Sequence, residues 1–479
     1  MHHPAARFAI AAALASSALA CRKEVAPVPP AAPPAALHAA PIDTASIDSV
    51  IRATMHDRGL VGVSVGVAQD GKIIFSHGYG VRSLSKRAPV ALETMFAIGS
   101  VTKQFTCSAL LLLAQEKKLS LDDRVSQYMP NLTRAGDITL LELGQHVSGY
   151  RDYYPLDFVD REMLEPRAAD SIIAEYATRP LDFEPGSRWS YSNTNFLILG
   201  RVIEKVSGQS FGTFLQRRIF RPLSMTHTRY DPPVGDSTLA SGYTSFALGA
   251  PMTATPEGAG WAGSAGAIWS TPTDLLKWDM ALIEGKVLNA ESYRILTTPH
   301  RLSDGRSTGY GCGEGVNDRG AAVVLKHGGA VSGFVAQNTV IPATRSAVVV
   351  LANTDFAAID EINQAIVPKL MPQVDVPAIQ GLPPLDAARA FLSGLRQGTV
   401  DRSTLGDDFN AFLTAELLAS ARASLGRLGP ITDLKVTNRV ERGGMEVAVL
   451  QFKVGSVNTQ ALMYRTPDGK IQELLMGRQ

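Results

Sequence analysis

Cysteine and net charge are both scarce in this chain of 479 residues. It has three cysteines, and its 46 Lys and Arg residues nearly balance 45 Asp and Glu residues, which leaves a formal charge of +1. Because no excess of positive charge is available to form a broad basic surface, we expect no nucleic-acid partner. The remaining composition, 45% hydrophobic and 19% charged, is typical of a globular protein with two or three domains.

Sequence signatures of cofactor and metal binding are also missing. The chain has no P-loop and no glycine motif for dinucleotides. Its nine histidines include no His-Glu-x-x-His and no paired spacing that would direct two ligands to one metal ion. We therefore expect neither a cofactor nor a metal.

The N-terminal segment has the pattern of an export signal. An apolar run over residues 8–20 follows Arg7 and is shorter than the ~20 residues that a membrane span needs. Ala18 and Ala20 supply the small residues of a cleavage site, and Cys21 follows where bacterial lipoproteins are acylated. We expect export to the periplasm, with membrane attachment through a lipidated Cys21 as a further expectation. A buried N-terminal helix is the alternative, which the Pro- and Ala-rich sequence that follows disfavours.

Strand patterns occur on both sides of a long helical region. Residues 61–67 alternate apolar and small side chains, and Asp70-Gly71 is a type I′ turn signal before a second strand over 72–79. Two more strands are predicted over 334–341 and 347–351. We therefore expect one antiparallel sheet built from both ends of this region, with helices packed on it.

A smaller region follows a proline-rich stretch over 373–384. It has two helical patterns, around 385–397 and 409–425, and then three or four strand patterns with glycine-containing turns. This order indicates a small α+β domain. We find no nucleophile–base pair in it, so its role stays open.

Cys107 and Cys312 lack the spacing of metal ligands. Cys107 lies in an apolar helical pattern, and Cys312 lies between two glycines. The sequence is compatible with a disulfide between them and with two buried free thiols, and we favour the free thiols.

Three short patterns carry side chains for chemistry. The first is Ser100-x-x-Lys103, whose spacing puts a hydroxyl and an amine on one face of a helix. A neutral amine can accept the serine proton, and a charged amine can hold a neighbouring anion. Residues 105–114 are mostly apolar, so we expect a buried helix with Ser100 at its N-terminal end. The pattern is weak alone, because it recurs from Ser83 to Lys86 in a polar stretch.

The second pattern is Tyr191-Ser192-Asn193, which follows a Pro-Gly turn and precedes a helical pattern. A phenol beside a lysine cation can have a lowered pKa and serve as a base. The Asn193 amide can orient a substrate carbonyl or the lysine. The alternative is that Tyr191 and Asn193 only cap and pack the start of a helix.

The third pattern is His327-Gly328-Gly329-Ala330, on or after a strand predicted from Val323. Glycines in a strand permit close approach of a ligand. A backbone N–H in this segment could complete an oxyanion hole with that of Ser100. The alternative is a turn with a solvated histidine.

Together the three patterns resemble those of the serine β-lactamase and penicillin-binding-protein superfamily, especially its branch of class C β-lactamases, D,D-peptidases and esterases. The resemblance covers roughly residues 45–365. It includes further similar segments, which are His146-Val147-Ser148-Gly149, Phe183-Glu184-Pro185-Gly186, Leu199-Gly200, Val206-Ser207-Gly208 and Gly266-Ala267-Ile268-Trp269-Ser270-Thr271.

The resemblance implies a role for each residue of the first two patterns. It makes Ser100 the nucleophile and Lys103 its activator. It makes Tyr191 the general base and then the general acid. It makes Asn193 a contact of both the substrate and the lysine.

The resemblance also implies that His327, Gly328 and Gly329 lie on the strand that lines the cleft, with Ala330 giving the second oxyanion N–H. Many relatives carry Lys-Thr-Gly here, and some carry His-x-Gly. Gly328 therefore replaces the usual hydroxyl residue. We expect substrates without a strictly required carboxylate, such as small acyl esters or peptides, to be better than β-lactams.

Two rival interpretations remain to be weighed. The α/β-hydrolase motif Gly-x-Ser-x-Gly matches at Ser64, Ser210 and Ser307, but none of them is predicted to lie between a strand and a helix, as that motif requires. The more serious rival is a penicillin-binding or sensing module of the same fold that does not turn over.

The expected fold class is α/β (α+β), with a β-lactamase/transpeptidase-like antiparallel sheet flanked by helices, a helical lobe and a small C-terminal α+β domain. We expect a serine hydrolase that acts through an acyl-enzyme on an ester, peptide or β-lactam. The sequence makes no prediction of the oligomeric state. The expected segments are a signal peptide over 1–20, a tether over 21–42, a hydrolase domain over 43–372, a linker over 373–384 and a small domain over 385–479.

Overall fold

The computed structural model describes residues 39–156, 158–233, 235–247, 249–318, 322–372 and 378–478. The expected signal peptide, Cys21 and most of the tether lie outside these ranges. Within them, no helix has the length and apolar character that a membrane crossing requires.

The described chain forms strands and helices with the following bounds. The strands are β1 (Gly62–Gln69), β2 (Lys72–Ser83), β3 (Ala88–Pro89), β4 (Phe96–Ala97), β5 (Arg229–Tyr230), β6 (Tyr243–Thr244), β7 (Met252–Thr253), β8 (Ile268–Ser270), β9 (Gly315–Asp318), β10 (Val323–Val331), β11 (Phe334–Ile341), β12 (Ser346–Ala352), β13 (Ile431–Arg442), β14 (Met445–Val454), β15 (Val457–Arg465) and β16 (Ile471–Arg478). The helices are α1 (Thr44–Arg58), α2 (Thr102–Gln115), α3 (Leu140–Gly144), α4 (Ala169–Tyr176), α5 (Asn193–Ser207), α6 (Phe211–Leu215), α7 (Gly263–Gly266), α8 (Pro272–Ile283), α9 (Ala290–Thr297), α10 (Ile359–Leu370), α11 (Pro384–Gln397), α12 (Asp407–Phe412) and α13 (Ala415–Leu428).

The main sheet has the strand order β3-β2-β1-β12-β11-β10-β9 and is antiparallel throughout. The predicted hairpin joins β1 to β2 through Asp70 and Gly71, whose φ angles of 51° and 79° are both positive, as a type I′ turn requires. Strand β1 pairs with β12, so the two ends of this region meet at the centre of the sheet, as the sequence predicts.

Alternation along β12 explains why helices cover both faces of the sheet. Val348 and Val350 pack in one cluster with Ile47 of α1 and Ile362 of α10. Val349, one position along, points to the opposite face and packs in the cluster that contains α8 and the helical lobe. Because side chains alternate along a strand, a run of apolar residues can be buried on both faces at once.

Helix α2 lies in the middle of the helical lobe. Every residue from Thr102 to Leu113 is buried, which matches the nearly continuous apolar pattern of its sequence. Its neighbours include α5, α7 and α9. A helix that is enclosed on all sides holds its N-terminal end, and therefore Ser100, in a fixed position.

The C-terminal region forms a separate sheet of order β13-β14-β15-β16 with its own apolar cluster. The predicted helix over 409–425 is wrong in one respect, because the structure has two helices, α12 and α13, in its place. Thr414 starts the second one, since its side chain accepts a hydrogen bond from the backbone N–H of Leu417. The fold class predicted from the sequence is confirmed.

The favoured interpretation of Cys107 and Cys312 as free thiols is wrong. The two residues form a disulfide with their Cα atoms 5.7 Å apart. They are far apart in sequence, and only the packing of the segment before β9 against α2 brings them together. Such a bond stabilises the fold mainly by restricting the unfolded chain.

Candidate active site

Ser100 lies in a 3₁₀ turn, Gly99–Val101, that leads directly into α2. It is partly exposed and lines a cavity of about 550 Å³, together with Asn193 and Ala330. The cavity therefore brings one residue from each of the three sequence patterns to a single place.

Two glycines allow the turn and strand β10 to approach each other. Gly99 has a φ of 50°, and a Cβ atom there would lie 2.7 Å from the backbone N of Ala330. A Cβ atom on Gly329 would lie 1.9 Å from the carbonyl oxygen of Ile98. Both distances are shorter than real contacts, so only glycine permits the backbones of Ser100 and Ala330 to lie side by side.

Lys103 is fully buried one helical turn below Ser100. Its Nζ lies 3.0 Å from Ser100 Oγ and donates to Asn193 Oδ1 at 2.7 Å and to the carbonyl oxygen of Ala265 at 2.9 Å. Burial lowers the pKa of Lys103 to about 7, and the negative charge of Asp152 opposes this shift. A neutral amine is therefore readily populated near neutral pH.

Tyr191 lies two residues before the start of α5, and its ring lies 4.8 Å from Lys103 Nζ. The expectation of a lowered phenol pKa is wrong: burial raises the pKa of Tyr191, although a hydrogen bond with Ser100 acts in the opposite direction. The physical reason is that burial disfavours the phenolate, and this outweighs the stabilising contact. The resting phenol keeps its proton.

Asn193 is the first residue of α5, and it also contacts Asp152, a residue that the sequence patterns missed. The Asp152 carboxylate accepts hydrogen bonds from the backbone N–H of Asn193 at 2.9 Å and from its Nδ2 at 3.2 Å. No local pattern identifies this contact, because 41 residues separate the two side chains.

His327 lies on β10 and is buried, not solvated. Its Nδ1 is 2.6 Å from the carbonyl oxygen of Gly328, and its Nε2 is 2.8 Å from the hydroxyl of Tyr310. Since a carbonyl only accepts, Nδ1 carries the proton and Nε2 accepts from Tyr310. Burial lowers the pKa of His327 to about 4, and the charge of Lys103 adds to this effect. The imidazole is therefore neutral at pH 7.

The cavity has an apolar rim on one side. Leu156 and Phe158 line it while remaining 48% and 63% exposed. Among the lining residues that the structure describes, none is Lys or Arg, and one is the acidic residue Asp355. The cleft therefore suits a neutral or apolar group better than a carboxylate.

The other serine motifs lie far from such an arrangement. Ser64 is buried inside β1, Ser210 caps the start of α6, and Ser307 lies in an exposed loop. None of them stands between a strand and a helix, so the nucleophile elbow of α/β-hydrolases is not formed at these positions. Ser83 lies at the end of β2, and no helix follows it toward Lys86.

Comparison with known sequences identifies related proteins. A model of the Beta-lactamase family matches residues 47–367. Two D-aminopeptidases, from Gluconobacter oxydans (strain 621H) and Brucella anthropi, are each 31% identical to this chain. Each alignment covers 62% of this chain and 56% of the relative, so the chain spans just over half the length of these curated relatives.

Solved structures extend the comparison to the fold. The D-amino acid amidase from Ochrobactrum anthropi SV3, complexed with L-phenylalanine, superposes with a TM-score of 0.62 at 21% identity, covering 68% of this chain and 98% of that one. The penicillin-binding protein from Bacillus halodurans gives 0.59 at 27% identity, covering 66% and 98%. The octameric penicillin-binding protein homologue from Pyrococcus abyssi gives 0.61 at 21% identity and covers 91% and 99%, so its fold also matches the C-terminal region.

Proposed function

Because this chain belongs to the beta-lactamase family, we propose that it is a serine hydrolase that cleaves amide, peptide or ester bonds through an acyl-enzyme on Ser100. The observation that carries the proposal is the hydrogen bonding of Lys103. Two of its three partners, Asn193 Oδ1 and the carbonyl of Ala265, can only accept. A neutral amine has two hydrogens and one lone pair. Both hydrogens are taken by these oxygens, and the lone pair faces the Ser100 hydroxyl.

Acylation follows from this arrangement. Lys103 accepts the hydroxyl proton while Ser100 Oγ attacks the substrate carbonyl, and the backbone N–H groups of Ser100 and Ala330 bind the oxygen that becomes negative. The phenol of Tyr191, which keeps its proton, donates it to the leaving nitrogen or oxygen as the bond breaks. The phenol then recovers a proton from Lys103, so the acylation step leaves all protons balanced.

Deacylation uses the same groups in reverse. A water molecule loses a proton to the neutral amine of Lys103 and attacks the ester carbonyl of the acyl-enzyme. The bond to Ser100 Oγ breaks, the oxygen regains a proton, and a free acid leaves. No step needs a metal or a cofactor.

Several observations support amides and peptides as the substrate class. Relatives from two bacteria are D-aminopeptidases. The cleft has no cationic lining side chain among the described residues, His327 is neutral at pH 7, and Gly328 has no hydroxyl. We therefore propose short D-configured amides, peptides and small esters as better substrates than β-lactams, which carry a carboxylate.

Purified protein assayed with p-nitroanilides of D-phenylalanine and L-phenylalanine tests this proposal. We expect hydrolysis of the D-anilide, a lower rate on the L-anilide and no hydrolysis by Ser100→Ala. Acylation without release of the acid would instead favour the binding or sensing module of the same fold. Full activity in Ser100→Ala would overturn the assignment of the nucleophile.

We further propose that the enzyme acts outside the cytoplasm. The disulfide between Cys107 and Cys312 supports this, because such bonds persist mainly in oxidising compartments. The N-terminal export pattern supports the same location.

A further inference from the structure

We infer that Asp152 is a positioning residue that fixes the orientation of the Asn193 amide and thereby directs the lone pair of Lys103 at Ser100. The inference rests on the proposed function of Ser100 and Lys103. It adds a residue that neither the sequence patterns nor the proposed mechanism uses.

Asp152 determines which end of the Asn193 side chain faces Lys103. Its Oδ1 accepts hydrogen bonds from the backbone N–H groups of Tyr154, at 3.1 Å, and Asn193, at 2.9 Å, which fix the carboxylate in place. Both of its oxygens lie 3.2 Å from Asn193 Nδ2. An ionised carboxylate can only accept, so the NH₂ end of the amide must face Asp152.

The opposite end of the same amide is thereby turned to the lysine. Asn193 Oδ1 lies 2.7 Å from Lys103 Nζ. In the flipped orientation an N–H donor would face the amine, and the lone pair of neutral Lys103 would bond to that donor instead of the Ser100 hydroxyl. One of the two acceptors that take up the lysine hydrogens would also be lost. The carboxylate of Asp152 excludes this unproductive arrangement.

Asp152 also influences the protonation of Lys103. The ionisable groups that face Lys103 are the carboxylate of Asp152, the phenol of Tyr191 and the imidazoles of His146 and His327. Burial and, to a smaller extent, the charge of Lys103 lower the pKa of both imidazoles, and burial raises that of the phenol, so these three groups are neutral at pH 7. Asp152 is therefore the group in this set that carries a negative charge, and its removal lowers the pKa of Lys103.

The pH dependence of Ser100 phosphonylation separates positioning from a merely structural role. We would measure the second-order rate constant for a fluorophosphonate probe from pH 5 to 10 in the wild type, Asp152→Asn and Asp152→Glu. Asp182→Asn is the matched control, because it removes one carboxylate from an exposed ion pair with Arg151, next to Asp152 in sequence. Circular dichroism and thermal melting report whether each variant is folded.

For Asp152→Asn we expect the midpoint of the pH profile to move down by about 1 unit, since a nearby negative charge is lost. We also expect the plateau rate to fall about tenfold, because the Asn193 amide is no longer held in one orientation. Asp152→Glu keeps the charge but displaces it, so its plateau falls while its midpoint stays within a few tenths of the wild type. Asp182→Asn keeps the wild-type profile.

A folded Asp152→Asn variant with the wild-type midpoint and plateau would overturn the inference. So would an Asp152→Glu variant whose midpoint moves as far as that of Asp152→Asn, because loss of charge could not then be the cause. If Asp152→Asn does not fold, Asp152→Glu decides alone, because a midpoint about 1 unit below that of the wild type, or an unchanged plateau, would overturn the inference. A wild-type protein that is not labelled at Ser100 at any pH would contradict the proposed function itself, which distinguishes the two failures.

Discussion

The imidazole of His146 and the phenol ring of Tyr191 lie 4.4 Å apart, centroid to centroid. His146 also holds the backbone on both sides of that tyrosine. Its carbonyl accepts the N–H of Ser190 at 3.0 Å, and its Nδ1 accepts the N–H of Ser192 at 3.1 Å. Because a backbone N–H only donates, Nδ1 is unprotonated and the neutral ring carries its proton on Nε2. Burial lowers the pKa of His146 well below its ordinary value, so this state persists at neutral pH.

We predict that His146→Ala lowers the rate of Ser100 acylation about tenfold, which corresponds to ~1.4 kcal/mol. The reason is that Tyr191 loses its ring contact with the imidazole, and the neighbouring Ser192 N–H loses its hydrogen bond to His146 Nδ1. His146 has a φ of 59°, a conformation that asparagine tolerates, and an Asn side-chain oxygen can accept from the Ser192 N–H. His146→Asn should therefore retain more activity than His146→Ala. Stopped-flow acylation by a p-nitrophenyl ester measures the rate of each variant. Equal rates in the two variants would show that the hydrogen bond to the Ser192 N–H does not position Tyr191.

Tyr191→Phe tests the proposed proton donor through the leaving group. A p-nitrophenolate leaves without protonation, whereas an amide nitrogen needs a proton, so we expect a much larger loss on anilides than on nitrophenyl esters. The loss on the anilide should be on the order of 10²-fold, as is typical of a missing general acid. Steady-state kcat/KM on a matched ester and anilide provides the comparison. An equal loss on both substrates would remove Tyr191 as the donor to the leaving group.

The pH dependence of acylation should follow Lys103. Burial lowers its pKa to about 7. Since the neutral amine is the proposed base, activity should be low below this value and rise to a plateau above it. Profiles of kcat/KM for a neutral ester report this ionisation in the free enzyme. Lys103→Ala should lose this rise of activity with pH and should also lose about 10²-fold or more in rate. A wild-type profile that is flat between pH 6 and 8 would contradict the assignment.

Gly328 offers a direct test of substrate class. A Cβ atom at this exposed position would meet only Ala336 O and Gln337 Oε1, both at 3.9 Å, so a threonine fits without strain. The wild type should have a higher kcat/KM for a short ester than for a chromogenic cephalosporin. Gly328→Thr supplies the missing hydroxyl and should raise the cephalosporin rate relative to the ester by about tenfold, roughly the value of one hydrogen bond to a charged group. A wild-type preference for the cephalosporin would reverse this account.

Local sequence signals predicted much of this protein and failed where the decisive contacts are distant. Asp70-Gly71 identified a hairpin because both residues favour positive φ. The Ser100–Lys103 pair was visible because its spacing is one helical turn, and the structure gives a distance of 3.0 Å between the two side chains.

Contacts across the fold left no such signal. The disulfide between Cys107 and Cys312 and the contact of Asp152 with Asn193 each join segments that only tertiary packing brings together. The protonation of Tyr191 and His327 was equally hidden, because it depends on burial more than on neighbours in the sequence. Sequence therefore located the proposed reactive groups but not the groups that position them or set their charge.

The covalent state of Ser100 during turnover tests the central claim most directly. The protein would be mixed with a slowly released acyl ester, quenched in acid within the steady state, digested and analysed by mass spectrometry. We predict one acyl group on the peptide that contains Ser100, its disappearance as substrate is exhausted, and no adduct in Ser100→Ala. Continued hydrolysis with no adduct on this peptide, or an adduct on a different serine that persists in Ser100→Ala, would contradict it.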